Sequence, residues 1–248
     1  MATAAVIPAA GAGARLGRGM PKALVCLNGE PLLVHAVRGT LASSVVDEVV
    51  VVAPEAHLDQ VRALLSDHRR DSDSDRAVSV VAGGPDRVDS VRAGLAVLDP
   101  TIRFVLVHDA ARCLAPGAVF RRVHQALAGG AQAVIPVLPL VDTVKFVEPV
   151  TAAPDGADDL ESAIQGTVVG TPSRSGLRIV QTPQGFDREL LQRAHRDAAA
   201  AGISATDDAM LVERLGVPVA TVAGDERSMK ITSRKDLAIA ELLLSSPS

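Results

Sequence analysis

The sequence predicts an α/β domain built on a mostly parallel sheet. Apolar runs of strand length alternate with helix-period stretches in β-α-β-α order. Hydrophobic residues make up 48% of the chain, yet Trp and Tyr are absent and only four Phe occur, so Val, Leu, Ile and Ala must fill the core, as in strands buried on both faces. At 248 residues the chain fits one large domain, 1–248.

The elements follow in order. Residues 2–8 read as a strand, 32–42 as a helix, and 47–53 as a second strand holding four consecutive valines. A helix over 55–65, a strand over 77–82, a helix over 87–98 and a strand over 103–108 continue the rhythm, with 66–76 a charged surface loop between. Pro116 stands near the first turn of a helix over 116–127, and 131–137 is a strand. Helices of this length between strands imply parallel pairing through crossovers.

The rhythm then breaks. Residues 141–182 contain no amphipathic helix but three β-like pieces, 142–147, 167–170 and 177–181, with an acidic Ala/Gly/Pro stretch at 149–165 that reads as a mobile loop. A β excursion needs cover for its edges, and a second copy of the chain is the simplest cover, so 141–182 is expected to be a projecting arm that builds a homodimer. Helices over 187–200 and 207–215, a strand over 217–222 and a helix over 233–244, capped by Ser233 with Asp236 three residues on, complete the domain.

Composition excludes several classes. A net charge of −4 and no aromatic platforms disfavour nucleic-acid binding. Two cysteines without zinc spacing suggest a reducing compartment, and no signal-type start or apolar run of membrane-spanning length occurs, so a cytoplasmic protein without a membrane partner is expected.

The chemistry concentrates after the first strand, in Val6-Ile7-Pro8-Ala9-Ala10-Gly11-Ala12-Gly13-Ala14-Arg15 and Pro21-Lys22. Small residues let a backbone approach a ligand, and successive N–H groups make a cradle for phosphate oxygens. Arg15 adds a planar fork and Lys22 a point charge, which together suit a nucleoside triphosphate. A dinucleotide fingerprint fits poorly: Gly11, Gly13 and Gly17 are one residue too widely spaced, and the nearest strand-end acid after them, Glu55, lies far beyond the window of about 20 positions for a ribose. A tight turn alone would explain the glycines but not the added cations.

Further candidates fall where strands should end, the edge at which open α/β sheets bind ligands. Gly83-Gly84-Pro85, Arg87 and Asp89-Ser90 could read a base, although a helix start also favours such residues. In His108-Asp109-Ala110-Ala111-Arg112 the carboxylate could hold Mg²⁺ and the Arg a phosphate, with a structural Asp-Arg pair as the plainer explanation. Thr143 and Lys145 open the arm, Arg174 lies on its return, and Thr182-Pro183-Gln184 leads out. Thr206-Asp207-Asp208 is accounted for by helix capping unless a ligand lies nearby, and Lys230, one of only four lysines, precedes Ile231-Thr232.

In this order, from about residue 4 to 240, these segments resemble the 2-C-methyl-D-erythritol 4-phosphate cytidylyltransferases of the non-mevalonate isoprenoid pathway. The first motif belongs to nucleotidyltransferases at large; the ordered set is specific. The resemblance implies a Rossmann-like three-layer αβα domain, a dimer through interlocked arms, and transfer of the cytidylyl group of CTP to methylerythritol phosphate with release of pyrophosphate. It implies that Arg15, Lys22 and Lys230 stabilise charge on the transferring phosphorus. Ala9, Ala10, Gly84 and Ser90 would contact the cytidine, with Gly11 and Gly13 in the nucleotide loop. Asp109 would lie near Mg²⁺ and substrate, while Arg112, Thr143, Thr206 and a partner's Arg174 would hold the acceptor. Departures are Pro85 in place of a polar residue beside the base, a loop before Lys230 without Asn or Asp next to that lysine, and the added acidic stretch at 149–165. The alternatives are a cytidylyltransferase for ribitol 5-phosphate or another polyol phosphate, an NAD(P)-linked oxidoreductase, and a non-catalytic nucleotide-binding module.

Overall fold

A computed structural model of the chain describes residues 1–10, 20–68, 77–149 and 166–245. It divides into two compact units: Met1–Val137 with Val180–Ser248, and Leu138–Ile179.

In the larger unit, strand β1 (Thr3–Pro8) leads to a small hairpin, β2 (Cys26–Leu27) and β3 (Glu30–Pro31), then helix α1 (Leu32–Ala42). The alternation continues with β4 (Glu48–Ala53), α2 (Leu58–His68), β5 (Ala77–Ala82), α3 (Arg87–Ala96), β6 (Phe104–Val107), α4 (Gly117–Ala128) and β7 (Ala133–Pro139). With β11 spanning Gln184–Asp187, the sheet runs β7-β11-β6-β1-β4-β5, with β12 (Ala220–Ala223) beside β7. Its β1, β4, β5 and β6 are mutually parallel, and β12 is parallel to β7. The exception is β11 (Gln184–Asp187), which lies antiparallel between β6 and β7. The sheet is therefore mixed, with a parallel core. Helices α5 (Arg188–Ala200), α6 (Asp208–Glu213) and α7 (Arg234–Ser245) complete the unit.

Alternation along each strand makes two cores and hence three layers. Ala5, Ile7, Val49, Val51 and Leu106 face α1, α2 and α4 through Leu33, Val37, Val61, Phe120 and Val123. Ala4, Val6, Val50, Val52, Val105 and Phe186 face α3, α5 and α6 through Val91, Leu95, Leu191 and Leu211. Each fully buried Val or Leu contributes about 1.5–3 kcal/mol, so the run of four valines in β4 anchors both layers. A third cluster, Leu27, Leu32, Cys113, Ile231 and Leu237, seats α7 on the β2–β3 hairpin.

Several sequence expectations shift. The helix expected from residue 55 begins with a 3₁₀ turn, Glu55–His57, and α2 continues to His68, into the segment read as a charged loop. The rest of that loop, and residues 150–165 of the acidic stretch, lie outside the described residues. The strand over 217–222 is the shorter β12, paired with β7 only from Ala220 to Ala223, and Val217 and Val219 ahead of it pack in the α5–α6 layer.

The smaller unit holds β8 (Phe146–Pro149) paired antiparallel with β9 (Gly166–Gly170), Val147 opposite Val168. The first piece of the arm starts later than the expected residue 142. In the preceding segment the Lys145 Nζ donates to Thr171 Oγ1 at 2.7 Å and Arg174 Nη1 donates to the carbonyl of Val141 at 2.5 Å. The chain returns through β10 (Arg178–Val180).

Candidate active site

Because β1, β4, β5 and β6 run parallel, their carboxyl ends share one edge of the sheet. Antiparallel β11 begins at that edge, since Gln184 pairs with Val107, and β12 ends there, with Ala223 beside Val137. Chain segments distant in sequence are thereby brought to one place.

On the β1–β5 side, Ala9 is fixed by its N–H donating to Val52 O at 2.7 Å. A Cβ on Gly83 would lie 2.9 Å from Ser90 Oγ and 3.0 Å from Ala10 Cβ, and one on Gly84 would collide with Asp89 Cβ at 2.3 Å, so the approach of this loop to β1 and α3 requires glycine. Asp86 caps α3 by accepting from the Asp89 N–H at 2.8 Å, and the Ser90 hydroxyl donates to Asp86 O at 2.8 Å. Ala9, Ala10, Gly84 and Ser90 thus gather around one small-residue surface.

On the β6 side, five charged groups converge. Asp109 Oδ2 lies 2.8 Å from Lys230 Nζ and 3.9 Å from Arg112 Nε, while Oδ1 lies 3.6 Å from Arg87 Nε. Arg87 Nη2 in turn lies 2.7 Å from Asp208 Oδ2. Burial alone would raise the Asp109 pKa, but Arg87 and then Lys230 outweigh it and hold the carboxyl well below its usual range. For Arg87, burial opposes the charge while Asp208 and Asp109 more than restore it, and the net shift is upward. Three cations stand against two carboxylates here, a field suited to phosphate.

The loops are fastened by side chains. The Asp109 N–H donates to Thr182 Oγ1 at 3.0 Å, and that hydroxyl lies 3.0 Å from His108 Nδ1. His108 is buried against Phe120, with ring centroids 4.9 Å apart, and burial lowers its pKa to about 4. It is a neutral structural partner. Arg112 Nη1 donates to Ser228 O at 2.8 Å and Nη2 to Val180 O at 3.0 Å, and its pKa is lowered, chiefly by burial. Gln181 Nε2 donates to Asp225 O at 2.8 Å while its Oε1 accepts from Asp225 N at 2.9 Å, clamping the loop that carries Lys230. Cys113 is buried, and its thiol pKa is pushed up to about 12, mainly by burial, which leaves it unreactive.

Capping accounts for only one of the two carboxylates that open α6. Asp207 Oδ1 accepts from Met210 N at 3.0 Å, whereas Asp208 is fully buried and pairs with Arg87 and with His195 Nε2 at 2.9 Å. Thr206 is exposed just ahead of that cap. Gln184 ties the turn to β11, donating to Asp207 Oδ2 at 2.8 Å and accepting from the N–H groups of Asp208 and Ala209 at 3.2 Å.

Of the residues singled out in the sequence, Arg87, Asp109, Arg112, Asp208 and Lys230 meet in the charged cluster. Lys22 opens a 3₁₀ turn, Lys22–Leu24, and its charge acts on the Cys113 thiol next to Arg112. Thr143 and Arg174 belong to the smaller unit, and Gly11, Gly13 and Arg15 lie outside the described residues. The sequence reading missed the His195–Asp208–Arg87 chain and the Gln181 clamp; its one available signal was a second acidic residue at a helix start that needs only one cap. Among the described residues no three of His, Cys, Asp and Glu converge as a metal cage, and no helix is long and apolar enough to cross a membrane.

The family model described as IspD: 2-C-methyl-D-erythritol 4-phosphate cytidylyltransferase matches residues 3–246. Proteins named 2-C-methyl-D-erythritol 4-phosphate cytidylyltransferase from Streptomyces avermitilis and Rhodococcus opacus are each 50% identical, over 98% and 97% of this chain and 91% and 94% of their own lengths. The crystal structure of the enzyme of that name from Thermus thermophilus superposes with a TM-score of 0.73 at 34% identity, covering 99% of this chain and 100% of that one. A 4-diphosphocytidyl-2C-methyl-D-erythritol synthase from Anaerococcus prevotii gives 0.80 at 27% identity, covering 99% and 96%.

Proposed function

This chain belongs to the 2-C-methyl-D-erythritol 4-phosphate cytidylyltransferase family, and from that premise we propose how its own side chains divide the work. The enzyme transfers the cytidylyl group of CTP to 2-C-methyl-D-erythritol 4-phosphate, giving 4-diphosphocytidyl-2-C-methyl-D-erythritol and pyrophosphate. The relatives favour this acceptor over ribitol 5-phosphate.

In our reading the acceptor's phosphate oxygen attacks the α-phosphorus in line, and pyrophosphate leaves opposite. Two ionised phosphates need no general base, so catalysis reduces to positioning and charge stabilisation. The convergence of Arg87, Arg112 and Lys230 on Asp109 carries this reading, because it concentrates positive charge where two anionic substrates must approach. Lys22 and Arg15 would stabilise the triphosphate from the loop after β1, with Lys230 beside them. Ala9, Ala10, Gly11, Gly13, Gly84 and Ser90 would pack the nucleotide, their small side chains leaving room for the base. Thr143, Thr206 and a partner subunit's Arg174 would hold the acceptor. Arg112 would act on it through its charge, since both its Nη atoms donate to backbone carbonyls.

A magnesium ion would be held by Asp109. Such a cation takes one or two carboxylates and fills its other positions with phosphate oxygens and water, which matches the single ionised carboxylate that Asp109 offers. When bound, the metal supplies neutralisation of triphosphate charge beyond what Arg15 and Lys22 provide. The homodimer and a cytoplasmic location belong to the same proposal. The latter rests on the free thiols of Cys26 and Cys113.

The test is pyrophosphate release from purified protein given Mg²⁺, CTP and either methylerythritol 4-phosphate or ribitol 5-phosphate. Release with the first acceptor alone is expected, and omitting Mg²⁺ should abolish it. Release with ribitol 5-phosphate alone would overturn the acceptor assignment.

A further inference from the structure

Arg87 is assigned no substrate group in the division of work above, where it counts only toward the positive field, yet it is the hinge of the charged cluster. As the first residue of α3, directly after the Asp86 cap, its backbone is fixed by the helix start. Its side chain, 24% exposed, spans two carboxylates from different loops: Asp109 at the end of β6 and Asp208 at the start of α6. Behind Asp208 stands His195 of α5, itself buried. The chain His195–Asp208–Arg87–Asp109–Lys230 thus crosses from the α5 layer to the ligand edge of the sheet.

Stability alone does not account for this arrangement, because apolar side chains of similar size usually serve a buried site as well as an ion pair. What the ionic chain provides is orientation. Asp109 lies with Oδ1 3.6 Å from Arg87 Nε and Oδ2 2.8 Å from Lys230 Nζ, so each of its oxygens faces a different cation.

Resting on the cytidylyltransferase reading, we infer that Arg87, held by Asp208 and His195, is a positioning residue of the reaction: it orients Asp109 and, through it, the Lys230 ammonium toward the reacting phosphates. A displacement on the order of 1 Å in such a group is enough to cost about 100-fold in rate.

Two variants test this beside the wild type in the pyrophosphate assay. Arg87→Gln/Asp208→Asn removes both charges together, so no buried ion is orphaned, and Arg87→Lys keeps a cation that reaches one carboxylate but not both. For the double variant kcat should fall about 30- to 100-fold while KM for CTP stays within about threefold and the melting temperature within a few degrees. Arg87→Lys should show the same split with a smaller fall. If the double variant does not fold, Arg87→Lys decides alone. A kcat within threefold of wild type in folded protein, or a loss that disappears once assays are run well below both melting temperatures, would overturn the inference. Absence of turnover by the wild type would instead overturn the functional reading.

Discussion

Lys230 Nζ lies 2.8 Å from Asp109 Oδ2, joining the loop after β12 to the end of β6. The lysine side chain is 45% exposed, so the pair adds at most about 1 kcal/mol to stability. On the proposed mechanism its value lies elsewhere, in holding a cation where charge develops. Lys230→Ala is expected to lower kcat about 100-fold with a melting temperature close to wild type. Steady-state kinetics alongside thermal denaturation check this, and an unchanged kcat would remove Lys230 from the reaction.

The loop that presents Lys230 is fastened by Gln181, whose amide makes two hydrogen bonds to the Asp225 backbone. Gly224 belongs to the same fastening, because a Cβ there would lie 2.3 Å from Gln181 Oε1. Gln181→Ala leaves two backbone groups without their partner and should cost about 1–3 kcal/mol. It should also lower kcat about tenfold by loosening Lys230. Denaturant midpoints and kcat measured together separate the two effects. Lost stability with full activity would assign the loop's position to Arg112 on Ser228 and to the Ile231 N–H on Ala111 instead.

Acid should destabilise the protein through His108. Burial holds its folded pKa at about 4, below the ordinary 6.5. The unfolded chain takes up the proton first as pH falls, so stability rises with pH between about 4 and 6.5 and is complete above that window. The whole effect is about 3 kcal/mol. Asp109 and Asp208, both held below their usual pKa, act in the same direction but only below about pH 3.8. Urea midpoints at several pH values should show a shallower slope between pH 6.5 and 4 for His108→Gln. Equal slopes in the two proteins would place the acid sensitivity outside His108.

The parallel core was legible because strand burial is written locally: the four valines of β4 and the alternating faces of β1 announce strands covered on both sides. The antiparallel β11 was not, since Thr182-Pro183-Gln184-Gly185 carries turn residues and becomes a strand only by lying between β6 and β7. For the site, Asp109, Arg112 and Lys230 were visible as charged groups at strand ends. Arg87 and Asp208 were visible too, as a possible base contact and a helix cap, but their pairing was not, because it depends on how α3, α5 and α6 pack over the sheet, which no local period encodes. For the same reason Arg112, read as a phosphate ligand, also proves to be a clamp on backbone carbonyls.

The arm unit carries the last prediction. Its β8–β9 pair leaves Phe146 58% and Val168 56% exposed, with Val147 and Val169 exposed beside them. A two-stranded ribbon is marginal in water, and apolar side chains of this size on it need cover. A second copy of the chain offers an identical surface, and a twofold axis would let each arm cover the other. Light scattering should therefore give the mass of two chains, and Phe146→Ser/Val168→Ser should give one. If the partner's Arg174 reaches the acceptor, Arg174→Ala should raise KM for methylerythritol phosphate more than it lowers kcat. Mixing Arg174→Ala with Lys230→Ala chains should then restore activity, because one of the two sites in a mixed dimer receives both intact residues. A mixture no more active than its parts would place Arg174 with its own chain's site or outside the reaction.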